Sequence, residues 1–231
     1  MTTTTLPAYS ARLLERLDTL VSHPDIVLVN RHVGAPLSDA ELKRVEHKVG
    51  GPLSPSITAF FRQCNGLSFE WVHRDNPRYD LKAHAFHERN LGDGAMDAIF
   101  GDGAVAIPAL ESIVDRSWQG ILYGEDWGLD EWTLKDRAGL RPFDLYSDYS
   151  FTSFDGFTED YEDPTIVLIG QHGATCEVSR ISFTVYMEEL IRTYGWRERR
   201  RIRFSYDTER LEIPESVDAF VDALRKTWPE V

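Results

Sequence analysis

Residues 36–67 have the sequence PLSDAELKRVEHKVGGPLSPSITAFFRQCNGL, and this stretch decides the fold because it begins with a capped helix and its stop signal. Ser38 precedes Glu41 by three residues, which is the spacing of a capping box. In that motif the serine hydroxyl accepts a hydrogen bond from the amide at 41, and the glutamate carboxylate accepts one from the amide at 38. The pattern predicts a helix over about 39–49 that stops at Gly50.

A second helix is expected directly after the first. Ser54 is placed as its N-cap, and Pro55 suits the first helical position, where a backbone N–H is not needed. We expect this helix to end at Asn65-Gly66, because glycine readily adopts the left-handed cap conformation. The apolar run at 67–72 then predicts a strand.

Working outward, hydrophobic periodicity predicts helices at both ends of the chain and strands between them. The further helices are expected at about 7–22, 110–114, 183–194 and 215–228. The further strands are expected at about 105–108, 120–123, 141–146, 165–170, 176–181 and 201–206. This order indicates an α+β fold.

The domain organisation expected from these elements has one main unit with additions. Residues 1–30 are predicted to be an N-terminal helical extension, and 31–231 the main domain. Residues 74–104 are polar and glycine-containing without a clear period, which indicates a loop-rich insertion. Residues 196–231 are expected to form a C-terminal strand and helix.

Composition excludes several classes of protein. The chain has 231 residues, 42% of them hydrophobic, and a formal charge of −13. Such a charge disfavours binding to nucleic acid or to an anionic membrane, and it makes a basic protein the natural partner. Only Cys64 and Cys176 are present, the N-terminus lacks the pattern of a signal peptide, and no apolar run reaches the length of a membrane span. We therefore expect a cytoplasmic protein that is a monomer when free.

The negative charge is concentrated between Glu125 and Asp163. This segment contains twelve carboxylates against Lys135, Arg137 and Arg141, so that its net charge is −9. Large aromatic residues lie among the acids. They are Trp127, Trp132, Phe143, Tyr146, Tyr149, Phe151, Phe154, Phe157 and Tyr161.

Two interpretations of this acidic segment remain open. In the first, the rings anchor an interface and the acids steer and orient a cationic partner. The residues predicted to bind a partner are Glu125, Asp126, Trp127, Asp130, Glu131, Trp132, Asp144, Tyr146, Asp148, Tyr149, Asp155 and Asp160. In the second, the rings belong to the core and the acids are their solvated neighbours.

A basic stretch follows near the C-terminus. Its arginines are Arg192, Arg197, Arg199, Arg200, Arg201, Arg203 and Arg210. Contact with phosphate is one interpretation, and an intramolecular or edge-protecting strand opposite the acidic segment is the favoured one.

Motifs for catalysis or metal binding are weak in this sequence. His73, His84 and His87 lie near acids, but they lack the spacing of zinc hydrolases. Gly92-Asp93-Gly94 and Gly101-Asp102-Gly103 lack the alternating ligands of a calcium loop. We therefore expect no enzyme activity, no metal and no cofactor, with a metal-dependent hydrolase as a remote alternative.

Several segments together resemble the SUKH superfamily, which contains bacterial immunity proteins against polymorphic toxins and Smi/Knr-type regulators of yeast. The similar segments are Pro36–Leu42 with Val45-Glu46, Gly50, Leu53–Ser56, Phe60-Phe61, Cys64–Leu67, Ile107–Leu110, Ile166–Gly170 and Ser182–Leu190. Ser54, which separates Leu53 from Pro55, departs from the usual pattern. The match covers roughly 36–72, 105–123 and 165–195, in the family's order.

The resemblance implies a single SUKH-like α+β domain with a twisted, mostly antiparallel sheet flanked by helices. It also implies that the protein binds and neutralises a cognate toxin domain without catalysis or cofactor. Many superfamily members counter toxins that act on nucleic acid. A non-catalytic regulatory scaffold of the Smi/Knr type is the alternative that the same resemblance implies. The acidic binding surface follows from charge alone, because no binding residue of the family maps onto this chain by position.

Overall fold

The computed structural model describes residues 8–76, 101–115, 139–146, 150–156, 163–172, 175–197 and 213–226. The helices in these ranges are α1 Tyr9–Val21, α2 Asp39–Val49, α3 Pro55–Gln63, α4 Leu110–Asp115, α5 Phe183–Arg192 and α6 Val217–Arg225. The strands are β1 Ile26–Val33, β2 Leu67–His73, β3 Gly103–Ile107, β4 Arg141–Asp144, β5 Ser150–Asp155, β6 Thr165–His172 and β7 Thr175–Ser182. Helices together with antiparallel sheets make this an α+β fold, as predicted.

The capping box that begins α2 is confirmed. The amide of Glu41 donates to the hydroxyl of Ser38, and the amide of Ser38 donates to the Glu41 carboxylate. The helix ends at Gly50 in the left-handed conformation, with φ of 85°. Local sequence alone sets both ends of α2.

The second helix begins as expected but is capped differently. Pro55 occupies its first turn, whereas the hydroxyl of Ser54 bonds to the hydroxyl of Ser56 and caps no amide. Asn65 lies beyond the end of α3, and its side-chain oxygen accepts from the amide of Leu110. Asn65 therefore supports the start of α4, a long-range role that its sequence position does not reveal.

The strands form two antiparallel sheets where the sequence predicts one. The first has the order β1-β2-β3 and the second the order β4-β5-β6-β7. They meet where the amide of Leu145 donates to the carbonyl of Ala106 at 3.0 Å. The return bond comes from the amide of Ala106 to the Asp144 carboxylate at 2.8 Å. A side chain thus takes the place of a main-chain acceptor, and the ladder is interrupted there.

Strand pairing agrees with the predicted hairpin and adds two strands, β1 and β5, that the sequence does not predict. β6 pairs antiparallel with β7 from Thr165↔Ser182 to His172↔Thr175. β5, which was not predicted, pairs with β6 and with β4. Its sequence does not alternate in burial, since the side chains from Phe151 to Phe154 are all buried. The alternation of buried and exposed residues that predicts a strand from sequence is therefore absent from β5.

The N-terminal helix belongs to the main hydrophobic core. Leu13, Leu17 and Leu20 of α1 have no exposed side-chain surface. Burial of each such side chain contributes roughly 1.5–3 kcal/mol. The Arg12 guanidinium and the Glu188 carboxylate form two hydrogen bonds between α1 and α5. The segment predicted as an extension is in this way an integral layer of the domain.

The C-terminal helix α6 packs on an aromatic cluster. Phe220 contacts the rings of Trp71, Tyr194 and Trp196 at centroid distances of 6.1, 4.8 and 5.7 Å. Tyr194 has a φ of 54°, in the left-handed region, and its carbonyl accepts from the Trp71 indole N–H at 2.7 Å. Among the helices in the described ranges, none has the length and hydropathy needed to cross a membrane.

Candidate functional site

The acidic segment divides into an interior part and a surface part. Asp144 and Tyr146 are 0% and 1% exposed. The prediction that these two side chains bind a partner is therefore corrected, because neither is accessible. Asp144 is the last residue of β4 and Tyr146 follows that strand, in which the three residues from Pro142 to Asp144 are buried.

The Asp144 carboxylate is a structural junction. One oxygen accepts from the amide of Ala106 in β3, and the other accepts from the hydroxyl of Tyr186 in α5. A buried carboxylate is tolerated only when hydrogen bonds replace its hydration. Asp144 meets that condition and ties the two sheets to a helix.

The aromatic residues of this segment that the structure describes belong to the interior. Phe143, Tyr146, Phe151 and Phe154 are all buried. The rings of Phe143 and Phe154 are stacked with centroids 4.3 Å apart. For these four residues the core interpretation is correct. Trp127, Trp132, Tyr149, Phe157 and Tyr161 lie outside the described residues.

Asp155 is the predicted partner-binding residue that the structure places on the surface. Its side chain is 45% exposed, and it lies 3.8 Å from the Nε atom of Arg180, which is 60% exposed. An exposed pair at that distance contributes little to stability. The Asp155 carboxylate is thus available to a charged partner. Outside the described residues are Glu125, Asp126, Trp127, Asp130, Glu131, Trp132, Asp148, Tyr149 and Asp160.

Two arginines of the basic stretch have partners within the chain. Arg192 forms an ion pair with Glu189 of the same helix at 2.9 Å. Arg197 donates to the carbonyl of Gly101 at 3.0 Å. These contacts favour the intramolecular interpretation for Arg192 and Arg197. The other arginines of the stretch, from 199 to 210, lie outside the described residues.

His73 lies at the end of β2 with no exposed surface. Its Nδ1 atom accepts from the amide of Asp75 at 3.0 Å, so that this nitrogen is engaged by the main chain. Burial lowers the pKa of the imidazole, and the positive charge of Arg225 acts in the same direction. The carboxylates of Asp75, Asp102 and Asp25 act in the opposite direction.

Asp102 joins the two ends of the predicted insertion. Its carboxylate accepts from the amide of His73 at 2.7 Å and from the side-chain amide of Asn76 at 2.8 Å. Beside it, the amide of Gly101 donates to the buried carboxylate of Glu70. Sequence reasoning placed Gly101-Asp102-Gly103 in a loop-rich insertion and missed this role. The only sequence feature that could have indicated this role is the position of Asp102 directly before β3.

A metal centre receives no support from the described residues. They contain no group of three or more histidine, cysteine, aspartate or glutamate side chains arranged to hold a metal ion. His84, His87 and Asp93 lie outside the described residues. The carboxylates of the buried Asp144 and the partly buried Asp102 accept bonds from main-chain amides, which is a structural use of a carboxylate.

Comparisons with known proteins assign no family. No protein-family profile matches the sequence, and no curated protein is significantly similar to it. The charge distribution and the burial of named side chains therefore carry the functional argument.

Proposed function

We propose that this protein is a cytoplasmic, non-catalytic immunity protein that binds and neutralises a cognate secreted toxin domain. The observation that carries the proposal is the net charge of −9 in residues 125–163. Carboxylates at that density repel one another, which lowers the stability of the folded protein unless a positively charged partner offsets the repulsion. A cationic protein surface is the complement that such a segment fits best.

The described part of the acidic segment supports a rigid surface of this kind. Phe143 and Phe154 anchor β4 and β5 in the core, and Asp155 at the end of β5 points its charge into solvent. A carboxylate on a packed strand loses little conformational entropy when it is paired, which favours binding. The aromatic residues outside the described part provide candidates for the desolvated anchors of an interface.

The expected partner is a basic toxin domain that acts on nucleic acid. Such an enzyme needs a positively charged cleft to bind phosphate groups. An acidic protein surface that covers the cleft blocks substrate both sterically and electrostatically. The SUKH-like order of helices and strands supports the same conclusion, as does the absence of a catalytic constellation in the sequence. No cofactor and no direct contact with nucleic acid are required.

A growth assay tests the proposal. If the gene directly upstream encodes a secreted protein with a variable C-terminal domain, that domain is the toxin candidate, and it is produced in bacteria from an inducible promoter. We expect that domain to arrest growth and co-expression of this protein to restore it. The two purified proteins should also elute together from a size-exclusion column, with one copy of this protein in the complex.

Two controls make the assay specific. A toxin domain from an unrelated gene pair should continue to arrest growth, since neutralisation depends on a matched interface. Rescue without a stable complex would point to an indirect effect. An upstream product that binds the protein without harming cells would favour the regulatory scaffold and contradict the immunity function.

A further inference from the structure

The C-terminal helix α6 is held by a small apolar contact with a polar border. Phe220, Val221 and Leu224 are its buried side chains. Phe220 provides the contact with Trp71, Tyr194 and Trp196 described above. A helix of nine residues is too short to be stable alone in water, so α6 depends on this docking.

The border of the docked helix consists of ion pairs around Arg225. Its guanidinium lies 3.1 Å from the Asp25 carboxylate and 3.2 Å from the Asp75 carboxylate. Asp25 precedes β1 and Asp75 follows β2, so that one side chain connects α6 to two neighbouring turns. On the other side His23 lies 3.7 Å from Asp218, whose side chain is 89% exposed. That second pair is long and solvated, and it contributes little.

His73 is buried beside this border. It ends β2, and the charged groups of the described residues that act on it are Arg225 of α6, Asp25, Asp75 and Asp102. Its Nδ1 atom accepts from the amide of Asp75, the residue that pairs with Arg225. The neutral imidazole is thus part of the same hydrogen-bonded group that holds the helix.

We propose that α6 is a proton-sensitive strap, which detaches from the aromatic cluster on mild acidification while the two sheets remain folded. Addition of a proton to His73 places a second positive charge beside Arg225. Nδ1 accepts from the Asp75 amide in the neutral imidazole, so the added proton goes to Nδ1 and the bond from that amide is also lost. Detachment of α6 removes Arg225 and admits water, and both changes favour the imidazolium. Proton binding and helix release are therefore coupled.

The direction and size of the effect follow from linkage. Because the pKa of His73 is lowered in the closed state, the open state binds the proton more readily as pH falls below about 6.5, the ordinary value for histidine. Docking is complete above that pH and is weakened as pH falls through it toward the lowered pKa. Uptake of one proton changes the opening equilibrium by up to about tenfold per pH unit in that window.

Amide hydrogen exchange of the full-length protein between pH 7.5 and pH 5.5 tests the proposal. Protection factors, corrected for the intrinsic effect of pH, are compared between α6 and the central strand β6. We expect protection in α6 to fall by up to about tenfold per unit below pH 6.5, with no matching fall in β6. Protection that stays constant in α6, or falls equally in both elements, would overturn the proposal.

His73→Asn is the decisive variant. Asparagine keeps an acceptor near the position of Nδ1 and does not gain a proton in this range. The pH dependence of α6 should disappear in this variant and persist in the control His47→Asn, which changes an exposed histidine of α2. The same slope in both variants would exclude His73 as the sensor.

Arg225→Gln keeps the proposal testable if His73→Asn does not fold. Loss of the guanidinium removes the two ion pairs, so that α6 should already exchange several-fold faster at pH 7.5. Its remaining protection should depend on pH over a higher range, because the charge that opposes the imidazolium is gone. Unchanged protection of α6 at pH 7.5 would show that Arg225 does not hold the helix.

Discussion

The hydroxyl of Tyr186 donates a hydrogen bond to the carboxylate of Asp144 in the interior of the protein. The other oxygen of Asp144 accepts from the amide of Ala106, in the neighbouring sheet. One acid therefore connects β3, β4 and α5. An acid that charge counting assigns to a binding surface is instead part of the interior framework of the protein.

Replacement of Asp144 by alanine should destabilise the protein severely. The Ala106 amide and the Tyr186 hydroxyl would lose a buried acceptor, which costs about 1–3 kcal/mol for each group. We expect urea unfolding to show a loss of about 2–6 kcal/mol for Asp144→Ala. Asp155→Ala is the matched control and should change stability by less than about 0.5 kcal/mol, because its side chain is exposed. Equal losses in the two variants would contradict the structural role of Asp144.

Gly103→Ala should be strongly destabilising for a steric reason. A Cβ atom on Gly103 would overlap the indole ring of Trp71, which is fully buried and bonded to the Tyr194 carbonyl. Such overpacking typically costs about 1–3 kcal/mol, and more when the neighbour has no space to move. Gly139→Ala serves as the control because, chain neighbours aside, no atom of the described residues lies within 4 Å of the added carbon. A Tm for Gly103→Ala equal to that of the control would contradict the close approach of Gly103 in β3 to the indole ring of Trp71.

Ser38→Ala should weaken α2 by about 1 kcal/mol at neutral pH, the usual value for loss of an N-cap. The hydrogen bonds from the side chain and the amide of Ser38 lower the pKa of Glu41. Because the pKa of Glu41 is lowered in the folded state, its ionised carboxylate stabilises that state fully above pH 4.5, the ordinary pKa of the group. This stabilisation is lost as the pH falls from 4.5 through the lowered pKa. The difference between wild type and Ser38→Ala in urea should therefore shrink below about pH 4.5. A difference that grows in acid would contradict the capping box.

Charge reversal in the acidic segment should slow association with the proposed basic toxin domain. Glu125→Lys with Asp126→Lys is expected to reduce the on-rate roughly tenfold at low salt and to make it less dependent on salt. Glu15→Lys with Glu215→Lys changes the net charge equally at exposed positions outside the segment and is the control. Stopped-flow kinetics measure the on-rate of each double variant. Equal on-rates for the two double variants would remove the electrostatic part of the proposed interface.

Trp127→Ala or Trp132→Ala separates an anchor from a core residue. If the ring is an anchor, the off-rate of the complex should rise about 30-fold or more, as expected for a loss of about 2 kcal/mol. The Tm of the free protein should then be unchanged. A large fall in Tm would assign the ring to the core, as already found for Phe143 and Phe154.

Local chemistry could be predicted well from the sequence. The capping box of Ser38 and Glu41 and the glycine stop at Gly50 use residues within one or two helical turns, so that sequence spacing is sufficient. The β6–β7 hairpin was predicted for a similar reason, since its strands are separated by a short turn. Prediction of strands from the sequence failed where buried and exposed residues do not alternate, as in β5.

The candidate site was only partly accessible to sequence reasoning, because charge and aromatic content do not say which side of a strand faces water. The sequence by itself determined the α+β class, the approximate positions of the helices and the location of the negative charge along the chain. Only the tertiary structure decided that Asp144 and Tyr146 are interior and Asp155 is exposed. The physical reason is that the burial of a side chain depends on contacts with elements far away in sequence. Tyr186 is the partner that makes Asp144 a buried junction, and no pattern local to Asp144 names it.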